Sequence, residues 1–268
     1  MKKTLKSKLS KAWANPNEVL VKALQGWINS LRGYSYDFEK NGEKAMLQKL
    51  QNLEIKTVFD VGSNIGEWSL VAVKFFPQAQ IHAFELSPKT FKTLKNNLQE
   101  TSVILNNLGM ADYDGEIEFK DYGENSPVNT ILTQASYHDH RINSTISKAK
   151  IISGNSYCAQ NNIQKIDLLK IDVEGVDHLV LKGFSDLLNS NSIRLIQFEY
   201  GYTHGDAKFL MRDFYEFFEK YGYIVGRLSK KGVAFEPWNY KMNDFRSGPN
   251  YIAIKSDDVQ IKELLRSL

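Results

Sequence analysis

Apolar and polar positions fall into blocks whose period switches along the chain. A helical pattern from about Gly42 to Lys56 delivers the chain to the apolar run "KTVFDVG", the first core strand. The amphipathic run "EWSLVAVKFF" starts after two glycines and closes at Pro77. "QIHAFELS" reads as a second strand, and Pro88 opens "PKTFKTLKNNLQE" as a helix with proline in its first turn. "SVILNNLGMAD" follows as a third strand and "GEIEFKDY" as an antiparallel addition.

From about Gly123 to Gln164 the periodicity weakens: "GENSPVNTILTQASYHDHRINST" is polar and rich in Ser, Asn and His, and the run "SKAKIISGNSYC" follows it. A long polar excursion inside a compact domain is usually functional or mobile, so this segment is the expected substrate-side lid. Regularity returns with "KIDLLKIDVEG", a helix "VDHLVLKGFSDLL", a strand "IRLIQFEYG" and a long helix "AKFLMRDFYEFFEKYG". The short strand candidates "YIVGRLS", "VAFEP" and "NYIAIKS" finish the chain. Strands alternating with helices, then a strand-rich closure, predict an α/β, doubly wound sheet, mostly parallel with an antiparallel C-terminal end. The expected plan is an N-terminal helical cap over residues 1–50 and a main domain over 51–268, with 123–164 as its lid.

Composition narrows the class. A chain of 268 residues, 42% hydrophobic, is long enough for a substantial core. The net charge of +3 is small for that length and argues against a dedicated nucleic-acid binder. The single cysteine, Cys158, has no partner for an internal disulfide, and no apolar run is long enough to cross a bilayer. The basic start lacks the apolar core of a secretory signal, so a reducing cytoplasm is the expected location.

Lys2, Lys3, Lys6, Lys8 and Lys11 precede Trp13, Val19, Leu20, Leu24, Trp27, Ile28 and Leu31, which recur at roughly helical spacing. Such a helix either packs its stripe on the main domain as a cap, or lies on an anionic membrane or a partner. The stripe follows the lysines rather than standing opposite them, which favours the cap.

The glycine loop carries the chemistry. A dinucleotide fingerprint would read G-x-G-x-x-G, whereas here the order is Gly62, Ser63, Asn64, Ile65, Gly66, without the central glycine. Asp60 stands at the end of the strand before the loop, and Glu85 at the end of the next strand. In a doubly wound sheet both fall beside the ligand crevice. Glu85 is placed to accept hydrogen bonds from a ribose diol and Asp60 to lie near a cationic group. A ribose and a positive charge without phosphate describe S-adenosylmethionine. Asp60, Gly62, Ser63, Asn64, Gly66, Glu85, Leu86, Asn107 and Asp172 are the expected cofactor-binding residues.

"FDVGSNIG" with "AFELSP" resembles the first two motifs of class I methyltransferases. "IDLLKIDVEGVDHLVLKGF", "IQFEYG", "LMRDFYEFFEKYGY" and "NYIAI" extend the match, so the chain from about Thr57 to Lys255 resembles the FkbM family of methyltransferases. The resemblance implies a Rossmann-like class I methyltransferase domain and O-methylation of a hydroxyl on a sugar, a glycan precursor or a natural product. One departure is "SGNSYC", with Asn155 where related sequences often carry an aspartate. That departure favours an alternative, a silent module that binds the donor without turnover. A third reading is a membrane-recruited enzyme for a lipid-linked glycan. "NPPY"-type motifs are absent, which tells against base-amino methylation.

Methyl transfer to an alcohol needs alignment and a place for the hydroxyl proton. Asp172, Glu199 and His204 are the expected catalytic residues, His204 as a base following a strand end. Asp172, Glu174 and Glu199 also form an oxygen set suited to Mg²⁺, although Asp172 and Glu174 have simpler uses at a donor ammonium and a helix N-terminus. His138 and His140, in "YHDHR", have ligand spacing but read better as solvated lid residues, His178 as a helix-surface residue and His82 as structural. Oligomeric state leaves no signal.

Overall fold

A computed structural model describes residues 16–31, 35–132, 135–139, 143–245 and 249–266. Its strands are β1 (Thr57–Val61), β2 (Gln80–Phe84), β3 (Ile104–Asn106), β4 (Gly109–Ala111), β5 (Gly115–Asp121), β6 (Thr145–Ser153), β7 (Ile166–Ile171), β8 (Ile193–Glu199), β9 (Tyr223–Ser229), β10 (Gly232–Phe235) and β11 (Asn250–Lys255). The main sheet runs β10-β9-β11-β8-β7-β1-β2-β3. Strands β3, β2, β1, β7 and β8 are parallel, and β11, β9 and β10 close the C-terminal side antiparallel. The chain leaves β1 toward β2 and β3, then returns to lay β7 on the other side of β1. That reversal opens a crevice above the carboxyl ends of β1 and β7, where open α/β sheets bind ligands.

The helices cover both faces. On one face Phe59, Val61, Phe84, Ile171, Phe198 and Tyr251 build an aromatic-rich core. On the other, Val58, Leu168 and Leu195 lie in register under the helices Glu43–Leu50, Glu67–Phe75 and Val259–Leu265. Because strand side chains alternate faces, the next positions upward on this second face are Asp60, Lys170 and Gln197, again in register. An apolar layer thus gives way to a polar one directly below the crevice.

Three expectations change in detail. The third strand divides at a bend: Ile104–Asn106 joins the main sheet, while Gly109–Ala111 starts a separate three-stranded sheet, β4-β6-β5. "GEIEFKDY" pairs there, antiparallel to β6. The polar region expected as lid over 123–164 is in its second half regular structure, since β6 and the helix Gly154–Gln160 occupy it and bury Ile151, Tyr157 and Cys158. Sequence periodicity missed β6, the central strand of that sheet, because only Ala149, Ile151 and Ile152 of its nine residues are buried and the exposed Lys148 and Lys150 flank the first of them.

The boundary at residue 50 also moves. Met46, Leu47 and Leu50 are buried in the main core, so the helix Glu43–Leu50 belongs to the domain. The earlier helix, Pro16–Leu31, forms as its spacing predicts, but the stripe expected to pack on the domain faces solvent. No described helix is long and apolar enough to cross a membrane.

Candidate active site

The turn after β1 is shaped by close approach. Gly62 has φ of +80°, and a Cβ there would lie 1.8 Å from the carbonyl oxygen of Asp172, so only glycine fits between the tops of β1 and β7. Asn64 follows with φ of +47° and turns its backbone N–H to Glu85 Oε2 at 3.0 Å. Ser87 N–H donates to Glu85 Oε1 at 2.8 Å. Each carboxylate oxygen keeps a further lone pair, which leaves Glu85 able to accept from a diol. Burial pushes the Glu85 carboxyl up to about 7, against the pull of those two N–H groups.

Other expected cofactor residues act on the backbone. Ser63 is buried, with its hydroxyl donating to Asp60 O at 2.7 Å and accepting from Phe84 N–H at 3.0 Å. Asn107 Nδ2 donates to Glu85 O at 2.9 Å and so ties down the loop after β2. Gly66 takes φ of +91° at the start of the helix Glu67–Phe75. Gly62, Glu85 and Leu86 line a cavity together with Leu108, Met110 and Ile151. That cavity is only about 60 Å³, because Ser126–Ile131 lies across it. Asn64 Nδ2 donates to Ser126 O at 3.0 Å and Thr130 Oγ1 to Glu174 O at 2.9 Å, holding the segment down.

Asp60 is fully buried, and its cationic neighbour is part of the protein. Lys170 Nζ stands 3.1 Å from Asp60 Oδ1, 3.2 Å from Gly62 O and 3.5 Å from Asp172 Oδ2. Ser69 Oγ donates to the other Asp60 oxygen at 2.6 Å. Burial works against the Lys170 ammonium, but the carboxylates of Asp60, Asp172 and Glu43 outweigh it and hold its pKa above the ordinary range. Glu43 is reached by Asn41 and Gln197, and burial raises its carboxyl. Lys170 is not among the residues expected from the sequence. Its signal was there, a lysine inside the otherwise apolar end of "IDLLKI".

Asp172, Glu174 and Glu199 do come together, with one oxygen from each within 4.8 Å of the others. Glu199 stands well above the usual carboxylate range, first through burial and then through the neighbouring charges of Asp172 and Glu174, with a hydrogen bond to Asp172 adding to the effect. Glu174 holds φ of +57°, unusual for a side chain of that size. A larger cleft of about 640 Å³ opens over this edge, walled by Tyr36, Phe38, Trp68 and Tyr202. Gly62, Asn64, Pro127, Asp172 and Glu174 line both the small cavity and the cleft, so the two spaces meet at the acidic edge.

His204 is set apart from that edge. It is buried, with Nδ1 accepting from Gly201 N–H at 3.1 Å and Nε2 3.3 Å from Asp177 Oδ2, behind the loop and lining neither space. His178 is buried rather than on the helix surface, stacked on Phe209 at 4.5 Å, and burial pushes its pKa down to about 4. His82 bonds Tyr157 Oη at 2.8 Å inside the sheet. The side chain of His138 and the whole of His140 lie outside the described residues. Asn155 caps the helix Ser185–Asn189, accepting from Asp186 N–H at 3.3 Å and donating to Ser185 Oγ at 3.2 Å, and it lines neither space. The feature that favoured a silent module therefore has a structural use.

Residues 60–225 match the family described as the methyltransferase FkbM domain. Over 189 residues the chain is 28% identical to the hexuronic acid methyltransferase AglP of Haloferax volcanii, covering 69% of this chain and 71% of that protein. It is 24% identical to Methyltransferase 1 of Beauveria bassiana over 48% of this chain and 58% of the relative. Among solved structures, an O-methyltransferase from Bacillus cereus in complex with SAH aligns over 94% of this chain and 97% of its own, at 10% identity and a TM-score of 0.44.

Proposed function

The chain belongs to the FkbM methyltransferase family, and from that premise we propose that it transfers a methyl group from S-adenosylmethionine to a hydroxyl of a sugar or sugar-like acceptor. The observation that carries this reading is the meeting of two spaces at one acidic edge, a small one beside Glu85 and a wide one over Asp172, Glu174 and Glu199. The lining of the smaller space suits the donor by its chemistry: a bare backbone at Gly62, a carboxylate at Glu85 with free lone pairs, and apolar walls for an adenine at Leu86, Leu108 and Ile151. At about 60 Å³ the space is too small for the whole donor, so in this reading Ser126–Ile131 moves aside to admit it. When bound, it supplies an activated methyl on sulfur. The protein's own residues orient the reactants and receive a proton.

In this reading Asp172 faces the donor ammonium, Glu85 accepts from the ribose diol, and Glu199 takes the acceptor proton. The walls Tyr36, Phe38 and Tyr202 suit the apolar face of a sugar ring. His204 acts through Gly201, holding the loop that walls the cleft, rather than on the acceptor itself. The hexuronic acid acceptor of the Haloferax volcanii relative makes acidic sugars the first acceptors to assay. Turnover by radiolabelled methyl transfer tests the proposal; donor binding without methyl transfer to any hydroxyl acceptor would defeat it.

Calorimetry isolates the donor side. Glu85→Ala is expected to weaken S-adenosylmethionine at least about tenfold, equivalent to about 1.4 kcal/mol. The wild type carries a pH signature as well. Accepting from a diol requires the carboxylate, and the free protein's Glu85 titrates near 7 because it is buried. Affinity should therefore be flat above that pH and fall as the pH drops below it, by up to about tenfold per unit. Glu85→Gln removes the slope. A wild-type affinity equal at acidic and alkaline pH would take Glu85 away from the ribose.

A second reading of the same edge makes it a divalent-cation site, favoured by three carboxylates close enough to share one ion. Asp172, Glu174 and Glu199 would hold Mg²⁺, which would polarise the acceptor oxygen. Activity that survives EDTA is expected if Glu199 alone receives the proton. Loss in EDTA with recovery in Mg²⁺ would select the cation.

A further inference from the structure

The helix Pro16–Leu31 presents an apolar face to solvent. Val19, Leu20, Val21, Leu24, Trp27 and Ile28 are between 37% and 64% exposed, and none of them packs against either core cluster. At about 100° per residue, Leu20, Leu24, Trp27 and Ile28 fall within an arc of about 100°, one continuous stripe. A stripe of this kind needs a cover, and the fold leaves it bare.

The charge distribution says what the cover is. Residues 1–36 contain seven Lys or Arg and one Glu, whereas the remaining 232 residues contain 27 basic and 30 acidic side chains, a net charge of −3. The net positive charge of the protein is therefore confined to the segment that carries the bare stripe. A second copy of the chain would bring the same excess of lysines against itself in a symmetric contact, and like charges oppose it. An anionic lipid surface meets both features, since headgroup phosphates attract the lysines and the acyl boundary accepts Leu20, Leu24 and Ile28. Trp27 suits the interface, where its ring is apolar and its N–H wet. The acidic body is repelled by the same surface, so contact is left to this segment.

We propose that the helix Pro16–Leu31 docks on anionic membranes by lying in the interface, with the lysines that precede it in the sequence adding attraction to the headgroups. Docking goes beyond the methyl-transfer reading and is read without any acceptor. It holds the cleft near a membrane and so near acceptors carried on lipid.

The test uses the full chain and co-sedimentation with two kinds of vesicle, phosphatidylcholine alone and phosphatidylcholine mixed with phosphatidylglycerol. Binding is expected to the mixed vesicles, at least about tenfold weaker to the neutral ones, and weakened by salt. Leu24→Glu with Trp27→Glu should lower binding to the mixed vesicles at least about tenfold. Glutamate at Lys2, Lys3, Lys6, Lys8 and Lys11 should do the same. Calorimetry with S-adenosylmethionine checks that each variant still folds, and failure there in the wild type would count against the donor assignment instead. Equal binding to both vesicles, no binding, or variants that bind like the wild type would overturn the proposal. So would a dimer in light scattering that Leu24→Glu with Trp27→Glu dissociates, because the face would then belong to a second copy.

Discussion

Replacing Lys170 with methionine is expected to lower the stability of the fold by about 3–5 kcal/mol, the cost of removing one partner from a buried charge pair. Lys170 and Asp60 are both buried, 3.1 Å apart. Without the ammonium, Ser69 is the one hydrogen-bond donor left to the Asp60 side chain among the described residues, and Glu43 and Asp172 lose a compensating charge. Urea denaturation measures the loss. Adding Asp60→Asn to Lys170→Met should recover a large part of it, since the stranded charge is then gone, though Glu43 and Asp172 keep the recovery incomplete. A fall below about 1 kcal/mol would mean that water or a rearranged side chain already neutralises the site. This polar layer is the floor of the crevice. Lys170 also reaches Gly62 O, the turn that leaves room for a donor.

Glu199→Gln is the second large effect, expected to cut kcat by about 10²–10⁴ with little change in donor affinity. The amide keeps the size and one acceptor of the side chain but takes up no proton. Glu199 suits the task because burial and its acidic neighbours make it a stronger base than an ordinary carboxylate. If kcat instead falls less than about tenfold, proton transfer belongs elsewhere on the edge, and Asp172 is the next residue to substitute. If donor affinity falls together with kcat, Glu199 belongs to the donor site.

Much of the candidate site was legible from local signals. The glycine turn, the acid at the end of β2 and the three carboxylates near the ends of β7 and β8 all lie where a strand stops, and strand ends show in a sequence as a change of period. What they touch was not legible. Asp60 was expected beside a ligand's positive charge and stands beside Lys170, 110 residues later in the chain but its direct neighbour across β1 and β7. His204 lies a few residues past the end of β8, as a base would, yet the loop turns its ring inward to Asp177. Position along the chain carries no information about which way such a loop turns.

The chain's order of apolar and polar positions determined the alternation of strands and helices, the bare turn at Gly62 and the row of acids at the strand ends, because period and turn chemistry act over a few residues. The tertiary structure decided the rest. Setting β7 beside β1 pairs Lys170 with Asp60, setting β8 beside β7 closes Asp172 and Glu199 to hydrogen-bonding range, and the segment Ser126–Ile131 comes to line the smaller cavity. It also decided that the helix Pro16–Leu31 finds no groove to fill, although its stripe looked fit for one. Each of these depends on strand register and on the space left between packed layers, and those are properties of contacts between distant residues.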